Sequence, residues 1–244
     1  MRGTVVIDAF PERAARYVSD HAVVAIDVIR ATTTAVTVAT LGRRCFPVPS
    51  LADALRLRVR LGDALLGGEL HGDTPDGFDV GNSPSALAAR RDVHRPLILL
   101  SSSGTRLLHV VREADAVYVA CLRNAAAVAR HLVGRHRRIA VIGAGSRGDF
   151  RREDQVCCAW IAAALVEAGY EPADVRTARL VARRGTAPAV VCAGGRSAGY
   201  LRRTDQVADL DFVLGHVNDL GEVFVLAGDE IVAVSNERKA ALGR

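Results

Sequence analysis

Lysine is nearly missing from this chain. Lys239 is the one lysine among 32 basic residues in 244, and methionine and tryptophan each occur once. Aromatic residues make up only 5%. The basic clusters Arg56-Arg58-Arg60, Arg135–Arg138 and Arg151-Arg152 therefore lack interleaved aromatics, and no nucleic-acid motif accompanies them. They read as solvated faces, and no nucleic-acid partner is expected. Long hydrophobic runs are lacking too. Stretches such as Val23–Ile26 and Ile161–Val166 fall far short of the roughly 18–20 residues of a membrane span. The segment Met1–Asp8 has no apolar secretory core. The expectation is a cytoplasmic protein without a membrane partner. The five cysteines (45, 121, 157, 158 and 192) are odd in number and form no C-x-x-C, so neither a zinc knuckle nor a thioredoxin-like pair is indicated. They read as small buried thiols in a reducing compartment.

Several catalytic signatures are absent as well. There is no G-x-S-x-G elbow, and Arg135-His136 continues with Arg137, so R-H-G is missing. No cysteine is followed six positions on by arginine, which excludes the cysteine phosphatases. Asp27-Val28-Ile29 lacks the second aspartate of the D-x-D phosphatases.

What is present is a large apolar content, 50% hydrophobic against 24% charged, enough for a sizeable core in one domain of 244 residues, or in two closely packed subdomains. The net charge is +5 and carried by arginine. That bias reads first as GC-rich coding, but arginine is also the better fork for phosphate and carboxylate, and the excess suits a small anionic substrate.

One pattern recurs along the chain: an apolar run, a polar or glycine-rich turn, then a helical stretch. Ala22–Val28 leads through Arg30–Thr34 to Ala35–Leu41, Pro96–Leu100 through Ser101–Thr105 to Arg106–Glu113, Ala116–Ala120 through Leu122–Asn124 to Ala125–Val133, and Ile139–Ile142 through Gly143–Gly148 to a helix ending at Ala168. This predicts an α/β fold: a layered α/β/α arrangement on a mostly parallel or mixed sheet. Pro11–Val18 suits a short helix, and Leu51–Leu61 a helix capped by Ser50. Leu65–Val80 reads as a Gly/Asp-rich loop, Ser83-Pro84 as a helix start, and Val223–Leu226 with Ile231–Val234 as a C-terminal β-hairpin.

In such a sheet the turns after the strands' carboxyl ends share a crevice. Asp27, Arg30, the threonines 32–34, the Ser101–Thr105 turn, Asn124 and the segment Gly143–Asp154 are expected there. Asp27, Glu69, Glu153 and Asp154 offer hard oxygen ligands suited to Mg²⁺, which needs only one or two carboxylates plus water and phosphate. His71 is a candidate general acid. Gly143–Gly148 matches G-x-G-x-x-G, so a nucleotide-cofactor oxidoreductase is a rival reading, and a non-catalytic anion-binding protein is another.

In their order these pieces resemble the 2-phosphosulfolactate phosphatase family. The match runs through Asp27-Val28-Ile29-Arg30-Ala31-Thr32-Thr33-Thr34, Gly68-Glu69, Gly77-Phe78-Asp79-Val80-Gly81-Asn82-Ser83-Pro84, Ser101–Thr105, Arg123-Asn124, Ala144-Gly145 through Phe150 to Glu153-Asp154, and the terminal hairpin. The resemblance implies Mg²⁺-dependent hydrolysis of 2-phosphosulfolactate to sulfolactate and phosphate, on a route to coenzyme M, in a layered α/β fold. On this reading Asp27, Arg30 and Asp79 are expected to serve catalysis, Asp79 orienting water or the loop backbone. Mg²⁺ falls to Asp27 with one or more of Glu69, Glu153 and Asp154. Thr32, Thr33, Asn82, Ser101, Ser102, Gly104, Thr105, Asn124, Gly145 and Arg147 are assigned to substrate, Arg147 for its second anion. The family usually has Thr-Thr-Asn-Gly-Thr where this chain has Ser101-Ser102-Ser103-Gly104-Thr105, so Ser103 replaces an amide. Whether water or a carboxylate attacks stays open, and a homo-oligomer is expected only from general frequency.

Overall fold

A strand covered on both faces is apolar at every position, and the runs singled out above form such strands. The computed structural model describes residues 3–234, which leaves Lys239 and the first two residues outside. The first half runs β1 (Thr4–Ala9), α1 (Pro11–Ala14), β2 (Ala22–Ile26), α2 (Ala31–Thr40), β3 (Cys45–Val48), α3 (Leu51–Leu61), β4 (Leu65–Gly68), β5 (Val80–Gly81), α4 (Pro84–Ala88) and β6 (Leu97–Leu100). The second half runs α5 (Gly104–Val111), β7 (Val117–Ala120), α6 (Ala125–Leu132), β8 (Arg138–Gly143), α7 (Arg152–Glu167), β9 (Glu171–Pro172), α8 (Val175–Arg184), α9 (Arg196–Arg203), α10 (Val207–Gly215), β10 (Phe224–Ala227) and β11 (Glu230–Ala233). Ser50 caps α3 by accepting from the Asp53 N–H at 3.1 Å, and Ser83 caps α4 by accepting from the Ala86 N–H at 3.1 Å, as the sequence indicated.

The strands form one mostly parallel sheet in the order β5-β4-β6-β3-β11-β10-β7-β2-β8-β1-β9. The C-terminal hairpin sits in the middle of it. β10 pairs antiparallel with β7, and β11 antiparallel with β3, so the hairpin covers the inner edges of two all-parallel blocks.

This sheet cannot be flat. β6 and β2 stand five places apart in the strand order, about 24 Å at the usual spacing of about 4.8 Å. Yet Gly104, just past β6, packs against the carboxylate of Asp27, just past β2. α5 packs on both β2 and β3, and Leu65, Leu97 and Leu99 share an apolar cluster with Val23, Val119 and Ile142. The two blocks therefore curl around α2 and α5 and bring their carboxyl ends together.

One expectation needs correction. Leu65–Val80 is not loop throughout, because it holds β4 and the start of β5. Gly67 and Gly68 look like loop residues but serve close strand packing. A Cβ on Gly67 would lie 2.7 Å from Leu97 Cδ1, and Gly68, at φ +142°, would drive one into the Leu100 carbonyl. All five cysteines are free and buried.

At the carboxyl end of β1 the buried Asp8 accepts from its neighbour's Ala9 N–H (2.8 Å), from the Tyr17 hydroxyl (2.8 Å) and from Arg16, tying the turn after α1 to the sheet. Burial by itself raises the Asp8 pKa, but these hydrogen bonds and the Arg16 charge outweigh it and hold the carboxyl below its usual value. A lowered carboxylate stabilises the fold above its unfolded pKa of about 3.9, and that stability is lost as pH falls through the folded value. Asp8→Asn is expected to cost about 1–3 kcal/mol at neutral pH, and its deficit against wild type should shrink in acid. Urea unfolding at neutral pH and below pH 4 measures both; a deficit unchanged by pH would count against the assignment.

Candidate active site

The converging strand ends enclose a cavity of about 700 Å³. Asp27 and Arg30 enter it after β2, Glu69 and His71 after β4, Ser101–Ser103 after β6, and the segment 144–148 after β8. Gly194, Gly195 and the residues Arg196, Tyr200 and Arg203 of α9 form another wall. Six arginines (30, 106, 147, 151, 196 and 203) face four carboxylates (Glu12, Asp27, Glu69 and Asp154) across this space. A cavity so lined favours an anion.

The carboxylates divide by what they already hold. Glu69 accepts from the Ser102 N–H (2.8 Å), the Ser102 hydroxyl (3.1 Å) and the Gly72 N–H (2.7 Å), which shapes its own loop. Asp154 accepts from the Val28 N–H at 2.9 Å and the Gly145 N–H at 3.1 Å, stapling the turn after β2 to the turn after β8. Glu153 lies buried against Gly195, and among the described residues neither of its oxygens has a hydrogen-bond partner. Asp27 is 7% exposed. Burial first, then the Glu69 and Glu153 charges, push its carboxyl up to about 7, against the pull of the Ala31 N–H and Arg30. Burial also raises Glu153, which the nearby Ser197 hydroxyl only partly offsets. Asp154 is raised by burial and by its two carboxylate neighbours.

Crowded, desolvated carboxylates of this kind call for a cation. Among the described residues no three His, Cys, Asp or Glu groups form a ready-made cage. Mg²⁺ does not need one, since it keeps several waters and uses one or two carboxylates. The all-oxygen donor set and the orphaned Glu153 oxygens fit it.

Of the residues assigned above to catalysis, substrate or metal, ten border this cavity or its carboxylate cluster: Asp27, Arg30, Glu69, Asn82, Ser101, Ser102, Gly145, Arg147, Glu153 and Asp154, and the candidate acid His71 lines it as well. The others do not line it. The Thr32 hydroxyl donates to the Asp27 carbonyl (2.9 Å), the Thr33 hydroxyl to the Val28 carbonyl (2.7 Å), and the Thr105 hydroxyl to the Ser101 carbonyl (2.9 Å). All three are buried, with their hydroxyls committed to shaping turns. Asn124 is likewise buried, accepting from the Cys121 N–H and donating to the Val119 carbonyl, away from the cavity. Asp79 accepts from Arg58 and from the Leu66 N–H, both at 2.8 Å. It orients a loop backbone and does not meet the cavity. Gly104 contributes space, because any Cβ there would strike the Asp27 carboxylate and approach Ala31 Cβ at 2.6 Å.

Sequence reasoning missed the wall built by residues 194–203. Its signals were Gly194-Gly195 ahead of a helix start and the Arg202-Arg203 pair, neither of them a motif. Tyr200 donates to the Gly72 carbonyl at 2.9 Å, and Arg147 to the His71 carbonyl at 3.1 Å, so this wall and the turn after β8 grip the Glu69 loop from two sides. The dinucleotide reading of Gly143–Gly148 finds no support in the geometry. The turn folds back through paired Ser146 and Asp149, α7 starts only at Arg152, and the buried Glu153 and Asp154 occupy its first turn. A pyrophosphate would need that helix end free of negative charge.

Comparison with known proteins agrees with the geometry. The family model described as 2-phosphosulpholactate phosphatase matches residues 9–222. A protein of Carboxydothermus hydrogenoformans named "Probable 2-phosphosulfolactate phosphatase" is 34% identical over 159 residues, 65% of this chain and 66% of that one. One of the same name from Pseudothermotoga lettingae is 35% identical over 138 residues, 56% and 59% of the two chains. Another, from Deinococcus radiodurans, is 34% identical over 192 residues, 77% and 80%. The chain thus spans just under two thirds of the first relative's length and less of the second's.

Gly104→Ala tests the closeness of β6 to β2. Alanine suits a helix, so α5 should persist, while displacement of Asp27 by about 1 Å is expected to cost about 100-fold in turnover. Circular dichroism and phosphate release from a 2-phospho acid check the two halves; full turnover would mean that Asp27 tolerates the added methyl.

Proposed function

The chain belongs to the 2-phosphosulpholactate phosphatase family, and on that ground we propose that it is a phosphoric monoester hydrolase acting on a small 2-phospho acid, 2-phosphosulfolactate first. The observation that carries this reading is the buried carboxylate cluster of Asp27, Glu153 and Asp154 beneath an arginine-rich cavity. The cluster suits a cation, and the arginines suit a substrate with more than one negative group.

Asp27 and Glu153 would hold Mg²⁺, with Glu69 and Asp154 beside them. When bound, the ion supplies Lewis-acid neutralisation of phosphoryl oxygens. Arg30 faces those oxygens as the P–O bond to the leaving group loosens. The Ser101–Ser103 turn borders the phosphate. Ser103, standing where the family usually has an amide, is a place where specificity can differ. Arg147, which meets no carboxylate among the described residues, takes the second anion, a sulfonate or carboxylate. Either water or Asp27 attacks phosphorus; in the second case an aspartyl-phosphate forms and is then hydrolysed. A place on the route to coenzyme M goes with the same family reading, and a cytoplasmic location with the composition of the chain.

The test is phosphate release from a panel of 2-phospho acids, with Mg²⁺ and with chelator, for wild type and Asp27→Asn. Chelation is expected to abolish release, and Asp27→Asn to lower it at least about 100-fold. The variant should fold as stably as wild type or more so without metal, because it removes a charge from a crowded buried cluster. It should also lose the Mg²⁺-induced rise in melting temperature. Undiminished release in chelator would overturn the metal assignment. Tight phosphate binding without turnover of any panel member would turn the reading into that of an anion-binding protein.

A further inference from the structure

Arg30 does not stand free in the cavity. It is buried, and its Nη1 donates to Asp209 Oδ2 at 2.6 Å and to Gln206 Oε1 at 2.5 Å. Both acceptors come from the start of α10, and Asp209 is 179 residues away in sequence. Asp209 is itself held rigidly. Its Oδ1 accepts from the Ser83 hydroxyl (2.7 Å), the Ser85 N–H (3.1 Å) and the Ser85 hydroxyl (2.5 Å) at the head of α4. One buried carboxylate thus joins three elements, and one of its two oxygens is given to Arg30.

The other edge of the guanidinium has a different fate. Among the described residues Nε and Nη2 of Arg30 have no protein partner, yet neither is a buried orphan, and Arg30 lines the cavity. That edge therefore opens onto the cavity. It is also the edge that presents two parallel N–H groups to two oxygens of one phosphoryl group.

We propose that Asp209 is the positioning residue for Arg30: it takes up Nη1, neutralises the buried guanidinium before substrate arrives, and thereby aims the Nε/Nη2 edge at the phosphoryl oxygens. This rests on the phosphatase reading for what the edge meets, but the aiming itself rests on the hydrogen bonds alone. A guanidinium without Asp209 would be a buried charge free to rotate, and a misaimed donor pair loses most of its value to a transition state.

A purely structural Asp209 would affect melting alone, so the experiment uses chemical rescue. Arg30→Ala leaves a guanidinium-sized space walled by Asp209, and added guanidinium ion at millimolar concentration should restore part of the lost phosphate release. In Arg30→Ala with Asp209→Asn it should restore none. Asp209→Asn alone is expected to lower kcat/KM about 100-fold and to weaken binding of inorganic phosphate, measured by calorimetry with Mg²⁺ present. Equal rescue in both backgrounds, or wild-type kcat/KM and phosphate affinity in Asp209→Asn, would overturn the proposal. Should Asp209→Asn not fold, Ser85→Ala removes one hydroxyl from Oδ1 and must move kcat/KM and phosphate affinity in the same direction, by less; no movement there overturns it equally. A wild type that hydrolyses no phospho acid defeats the phosphatase reading separately. In that event phosphate affinity, with and without guanidinium in the two Arg30→Ala backgrounds, decides the role of Asp209.

Discussion

Negative charge confined away from water is the constraint around which this fold is arranged. Asp27, Glu153 and Asp154 come from the ends of two elements and sit within one another's fields, almost wholly buried at the floor of the cavity. Each is raised by burial before any other influence. Such an arrangement is costly in an empty protein and becomes favourable with a cation and an anionic ligand bound. The local architecture supports it. Gly104 gives Asp27 room, Gly195 gives Glu153 room, and Asp154 is fixed by two backbone N–H donors from the turns after the neighbouring strands β2 and β8.

The arginines are distributed on the same principle. Those that carry structure are matched with acids, carbonyls or hydroxyls: Arg123 spans Asp219 and the Thr37 hydroxyl, and Arg43, buried, spans Asp92 and the Arg95 carbonyl. In the cavity the matching is incomplete. Among the described residues Arg30 gives one nitrogen to Asp209 and Gln206, and Arg147 meets only a carbonyl. The unmatched donors, more than the total charge of +5, are what make the cavity receptive to an anion.

Much of the fold was legible in the chain. Apolar runs at 22–26, 97–100, 117–120 and 139–142 became parallel strands because strands buried on both faces need apolar side chains at every position. The caps at Ser50 and Ser83 were readable because capping is local chemistry between residues three apart. The terminal hairpin was readable for the same reason, its turn lying at Gly228-Asp229. Its seat between β7 and β3 was not, since strand pairing across a hundred residues leaves no local mark. Nor was β4, whose glycines resemble a loop until Leu97 and Leu100 are placed against them.

For the candidate site, residue types and order were enough to pick out residues that the fold gathers in one place: Asp27, Arg30, Glu69, the serine turn and the acidic pair at 153–154. Short-range chemistry explains why: polar residues that interrupt apolar runs at strand ends are placed by the strand itself. The sequence could not tell a hydroxyl that faces a ligand from one that closes a turn. Thr32, Thr33, Thr105 and Asn124 look like ligand groups in a string of letters, and only the packed backbone shows their oxygens already taken. Tertiary structure alone decided that Asp209 stands behind Arg30 and that α9 walls the cavity, because those contacts depend on a sheet curled tightly enough to bring distant strand ends within a side chain's reach.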